Sequence, residues 1–171
     1  MFNKNIKLVL AFLIVAFAGY QFVEGEIGNG IFLILLALIF VFLYFRNELI
    51  LLAFLRMRKQ DLEGTEKWLN KIRNPEAALT TKQQGYYNYL HGIIYSQKNL
   101  TQAEKYFRRA LKLGLNMDYD VAMAKLSLAG IAMQKRRKRE ATTLLQDAKK
   151  LDKNNMLGDQ IKMMQQQLKR I

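Results

Sequence analysis

The chain has 171 residues, a net charge of +13, a single histidine and no cysteine. Those counts exclude disulfides, thiolate nucleophiles, cysteine metal sites and any cluster of histidines. One proline suits an ordered, mainly helical chain, and the mean hydropathy of −0.08 looks like that of a soluble protein but averages two unlike parts. Residues 1–55 carry Lys4, Lys7 and Arg46 against Glu24, Glu26 and Glu48, which cancel, so the whole net charge lies in 56–171.

The chain begins with two apolar stretches. Leu8–Val23 is interrupted only by Gly19, Tyr20 and Gln21, and Ile31–Phe45 only by Tyr44. A bilayer core needs about 20 helical residues, a length reached by counting Ile6 to Glu24 and by extending the second stretch upstream. The short, acidic, glycine-rich Glu24–Gly30 segment suits a turn between two antiparallel helices. Two transmembrane helices over residues 1–46 are therefore expected, followed by a repeat domain over 47–171. Lys4 and Lys7 precede the first span and Arg46, Arg56, Arg58 and Lys59 follow the second, while the loop has no cation. The positive-inside rule then puts both termini in the cytoplasm, as expected of a multi-pass protein of a bacterial inner membrane. A competing reading takes residues 1–18, ending in Ala16-Phe17-Ala18, as a cleavable leader.

Beyond the spans, helices are predicted over 47–59, 62–73, 80–97, 101–113, 118–135, 138–151 and 156–170, with no strand. Thr80-Thr-Lys-Gln83 and Thr101-Gln-Ala-Glu104 have the capping-box pattern. Because Ile31–Lys59 contains neither proline nor glycine, the second span is expected to run without a break into the first repeat helix.

Internal repetition is the strongest signal. Ala103, Phe107 and Ala110 recur 38 residues later as Ala141, Leu145 and Ala148, and Gly64 and Trp68 stand 39 residues before Ala103 and Phe107. A small residue precedes each set: Ala53, Gly92 and Ala129. Small residues opposite small-large-small triplets let two antiparallel helices approach along one seam. This pattern resembles the tetratricopeptide repeat family, best in Leu90, Gly92 and Tyr95 followed by Ala103, Phe107 and Ala110. The extra residue between Leu90 and Gly92, and an interval longer than the family's usual 34, depart from it. The resemblance implies an all-α chain with a short α-solenoid of helical hairpins over about residues 50–152. The last helix, with Leu157, Ile161, Met164, Leu168 and Ile171 on one stripe, would cap its open end.

In such a family partners lie in the concave groove lined by the first helix of each pair. The corresponding residues here are Tyr86, Tyr89, Ile93 and Ser96, then Met123, Leu126, Gly130 and Met133. They would accept an apolar peptide or helix; the competing reading is that they are interior packing. Lys135-Arg-Arg-Lys-Arg139 is five consecutive cations, and Lys135, Arg136, Arg137, Lys138 and Arg139 could meet anionic lipid, RNA phosphates or only water. No aromatic residue interleaves the run, which speaks against nucleic acid. His91 and Trp68 are read as packing residues. No phosphate-binding, dinucleotide-binding or nucleophile-elbow motif is present, so neither catalysis, a metal, a cofactor nor a small-molecule substrate is expected. The functional expectation is a membrane-anchored adaptor presenting a docking surface for a protein partner, in assembly or regulation of a membrane complex. The alternatives are a lipid or RNA tether acting through 135–139, and a structural subunit binding through its spans.

Overall fold

A computed structural model describes residues 4–45 and 48–170. They form an all-α protein: α1 (Lys4–Val23), α2 (Ile27–Phe45), α3 (Glu48–Arg58), α4 (Leu62–Asn70), the single turn α5 (Pro75–Ala78), α6 (Thr81–Lys98), α7 (Leu100–Leu113), α8 (Asp118–Gln134), α9 (Lys138–Leu151) and α10 (Gly158–Lys169). The chain divides into two compact units, 1–83 and 84–171, with the division inside α6. The expected boundary at 46/47, and the expected continuity of the second span with the repeat, fall on residues outside those described.

In the first unit α1 and α2 pack side by side. Gly25, at φ +83, makes the turn between them, and the Glu26 N–H donates back to the Gln21 carbonyl at 3.0 Å. The seam is built from small residues: Ala11, Ala18, Gly30 and Ala37 are buried. A Cβ on Gly30 would come within 2.7 Å of the Phe22 ring, so glycine is what allows that approach. Phe22 thus packs at the seam, while many of the other large apolar side chains point away from it; Phe12 is 74% exposed and Phe32 65%. Spanning a bilayer takes about 20 apolar helical residues. Among the described residues no helix is long and apolar enough to cross a membrane.

The rest of the first unit contains the pair α3–α4. The Asp61 side chain caps α4 by accepting from the Gly64 N–H at 2.7 Å. A Cβ on Gly64 would strike that carboxylate, so this glycine serves the cap and not the helix seam. The seam residues lie one position later. Thr65 is buried, donates to the Asp61 carbonyl at 2.7 Å and sits 3.4 Å from the Ala53 carbonyl oxygen. Leu69 and Ile72 complete the buried row. Trp68, read from the sequence as the large seam residue, is only half-buried; the Lys71 ammonium lies over its ring at 3.7 Å.

This correction brings the repeat into strict register. Thr65-Leu69-Ile72, Ala103-Phe107-Ala110 and Ala141-Leu145-Ala148 are all buried and stand at intervals of 38. The N-caps Asp61, Asn99 and Arg137 keep the same interval, and so do Gln60 and Arg136 across two repeats, both at positive φ (59° and 56°). Thr80-Gln83 behaves as half of a capping box, the Thr80 N–H donating to the Gln83 amide oxygen at 3.0 Å. Thr101-Glu104 does not. Asn99 supplies the cap instead, accepting from the Thr101 and Gln102 N–H groups at 3.0 and 3.1 Å. Asparagine is as good an N-cap as threonine, and it leaves Glu104 available for other partners.

In the second unit Phe107 of α7 sits against Gly92 of α6, where an added Cβ would meet its ring at 2.8 Å. α8 packs on α7 and on α9, and α10 closes the end against α9 and α8. Leu126, Ala129 and Met133 of α8, Leu145 of α9, and Leu157, Ile161 and Leu168 at α10 share one core.

Candidate functional site

The groove residues divide into two groups. Tyr89, Leu126 and Met133 are buried. Leu126 and Met133 belong to the core shared with α10, Met123 packs against that core, and a Cβ on Gly130 would touch the Met164 methyl at 3.5 Å. The C-terminal helix therefore occupies much of the α8 side of the groove. Its apolar stripe needs cover, and the aligned α8 residues supply it. Tyr89 stacks edge-on against Phe107, centroids 6.0 Å apart, and burial raises its phenol pKa. Tyr86, Ile93, Ser96 and Met123 remain half-buried. The Tyr86 hydroxyl donates to Asp120 at 2.6 Å and accepts from the Asn116 N–H at 3.2 Å. Burial, and then this carboxylate, push its pKa to about 12. The Ser96 hydroxyl donates to the Gly92 carbonyl at 2.8 Å. Ile93 and Met123 are the apolar groove residues that keep part of their surface outside the core.

The other face of α6 carries an aromatic stack. His91, buried, lies parallel to Tyr106 at 5.1 Å and edge-on to Tyr87 at 4.5 Å, and Tyr95 stacks on Tyr106 at 5.2 Å. The four α6 tyrosines thus serve two faces, and His91 is a packing residue among rings.

The basic run is split by the turn it forms. Arg137 reaches Glu104 at 2.6 Å and Glu140 at 2.9 Å, and Lys135 reaches Glu104 at 2.8 Å. Arg108 joins through Glu104 at 2.9 Å and through Glu140. The Glu104 side chain is 14% exposed, so three cations meet it where water screens little. The Arg137 contact, followed by those of Lys135 and Arg108, holds its carboxyl well below the ordinary range. Glu104 was read in the sequence only as the acidic member of a capping box and Glu140 was not singled out, and no local pattern marks either as an ion-pair partner of the basic run. Glu104 stands 33 residues from Arg137 and meets it only because α7 and the α9 N-terminus lie together. The remaining cations of the run, Arg136, Lys138 and Arg139, are exposed. Five consecutive charges are thus an ion-paired half and a solvent-facing half.

The described residues are all-α, with buried triplets repeated at intervals of 38 residues, and in the second unit α10 covers α9 and α8. No protein family, characterised protein or solved structure matches it.

Proposed function

We propose that this chain is a membrane-anchored adaptor. In this reading α1 and α2 are two transmembrane helices of a bacterial inner membrane. A helical-repeat domain resembling tetratricopeptide repeats stands on the cytoplasmic side and docks a protein partner. The observation that carries the reading is the inverted packing of the α1–α2 hairpin. The residues it buries fully are alanine and glycine, while Phe12, Leu13, Phe17, Phe32, Leu35, Leu38, Ile39 and Phe42 face outward. Helices packed in lipid commonly meet through small residues; in water so continuous an apolar exterior would drive association. The charge pattern adds orientation: α2 carries no charged side chain, and the basic residues follow it.

The docking surface in this reading is narrower than the groove expected from the sequence, because α10 fills part of it. Ile93, Ser96 and Met123, with the Tyr86 ring, are the residues left to meet a partner.

The chain has no cysteine, so single cysteines report topology cleanly. Gly28→Cys and Lys149→Cys variants of the full chain, expressed in cells, are treated with a membrane-impermeant maleimide. Labelling of Gly28→Cys alone in intact cells, and of both after lysis, is the expected result. Equal labelling of the two in intact cells overturns the two-span reading. For the adaptor, full-length protein and an Ile93→Ala/Met123→Ala variant are purified in mild detergent and their companions identified by mass spectrometry. Loss of a companion with the variant is expected; identical companions overturn docking at this face.

A further inference from the structure

Between α9 and α10 lies an open cleft of about 570 Å³ lined by Lys138, Thr142, Lys162, Gln165, Gln166, Leu168 and Lys169. Its chemistry is one-sided. Among the described residues three ammonium groups line it and no carboxylate does. The contrast with the neighbouring turn is direct, because there Lys135, Arg137 and Arg108 are neutralised by Glu104 and Glu140. The periodicity of both helices produces the arrangement. Lys138 and Thr142 lie one turn apart on α9. Lys162, Gln165, Gln166 and Lys169 occupy one face of α10 at spacings of three, four and seven. Leu168, buried in the core shared with Ala141 and Leu145, sets the helices close enough for the two polar faces to converge.

We infer that this cleft binds a phosphate-bearing anion. Lys138, Lys162 and Lys169 would supply the positive charge, and the Gln165 and Gln166 amides further donors. Lysine binds phosphate as a point charge from any direction, which suits three ammonium groups arriving from two helices. A monocarboxylate offers one charge and two oxygens, too little for three lysines and two amides. A phosphate carries up to two charges on a tetrahedron of oxygens and can meet them all. Thr142 is not among the donors, since its hydroxyl donates to the Lys138 carbonyl at 2.9 Å. The volume exceeds what one phosphate fills and leaves space for the group that carries it. The site is independent of the α6–α8 docking face. Its phosphate can come from a soluble metabolite or from a lipid headgroup.

Lysine footprinting of the full chain distinguishes the outcomes. Protein in detergent is treated with an amine-acetylating reagent with and without inorganic pyrophosphate at constant ionic strength. Acetylation of each lysine is then read by mass spectrometry. In a parallel arm the chain sits in nanodiscs of phosphatidylcholine alone or with phosphatidic acid. Several-fold protection of Lys138, Lys162 and Lys169, with Lys112 and Lys149 unchanged, is the expected result. Protection by pyrophosphate identifies a soluble source, and protection confined to phosphatidic acid nanodiscs a lipid source. In whichever arm protection occurs, the Lys138→Gln/Lys162→Gln/Lys169→Gln variant, which alters only exposed side chains, is expected to weaken binding of that phosphate by about tenfold or more. Protection spread evenly over all lysines, or absent from both arms, overturns the site. So does a triple variant that binds as the original chain does.

Discussion

The Arg137 guanidinium donates to the Glu104 carboxylate at 2.6 Å, joining the N-cap of α9 to the first turns of α7 across 33 residues of sequence. Arg137 makes no capping bond of its own. At the two equivalent positions Asp61 and Asn99 cap their helices directly. The third repeat has exchanged a local cap for a tertiary ion pair, and the consequences are measurable.

Folding holds the Glu104 carboxyl below its ordinary pKa of 4.5. A depressed native pKa gives stability that is complete above the unfolded value and drains away as pH falls below it. Relative to Glu104→Gln, the original chain should therefore be more stable at neutral pH, by roughly 2–6 °C in Tm. The gap should shrink steadily as pH is lowered from about 4.5. Thermal unfolding of both proteins between pH 7 and pH 2.5 checks this; a constant gap would dismiss the ion-pair contribution.

Gly92 and Gly85 are predicted to resist even alanine. At Gly92 the added Cβ meets the buried Phe107 ring at 2.8 Å, and at Gly85 it meets the backbone carbonyl of Gly114. Overpacking of this kind costs about 1–3 kcal/mol, partly offset by alanine's better helix propensity, about 1 kcal/mol. Because a ring can shift and a backbone carbonyl cannot move without the turn that carries it, here the C-cap of α7, Gly85→Ala should lower Tm more than Gly92→Ala. Calorimetry of the two variants gives the order.

The repeat register is tested by neighbouring residues of α4. Leu69 is fully buried, whereas Trp68 is half-buried beneath Lys71. Leu69→Ala should cost about 2–5 kcal/mol through the cavity it leaves, and Trp68→Ala less. Denaturant unfolding measured on both variants should rank the leucine first, although tryptophan is the larger side chain.

Capping of α7 separates Asn99 from Thr101. Asn99→Ala removes two acceptor contacts to free N–H groups and should cost about 0.5–2 kcal/mol. Thr101→Ala leaves that cap intact. Parallel unfolding curves for the two variants, with only the asparagine variant shifted, are the expected outcome.

Helix placement was legible because it depends on local signals. The seven helices predicted beyond the apolar stretches correspond to α3, α4 and α6–α10, with no end more than three residues away. Only the single turn α5, started by Asn74 and Pro75, was missed. The buried triplets of the second and third repeats were also readable, since alanine and large apolar residues at spacings of four and three have few other uses. The first triplet was misread by one residue. A glycine and a tryptophan looked like the small and large members of the seam, while a threonine that satisfies its hydroxyl on its own helix looked polar.

What sequence alone determined about this protein is its helical character, its repetition and the separation of its charge from its apolar stretches, all of which follow from periodicity and composition. Tertiary structure decided the rest. It chose which neighbour of Gly64 enters the seam and how much of the groove α10 occupies. It also decided which members of a five-cation run are neutralised by carboxylates more than thirty residues away. Those outcomes depend on which surfaces meet, and side chains brought together by packing leave no spacing in the chain from which their meeting can be read.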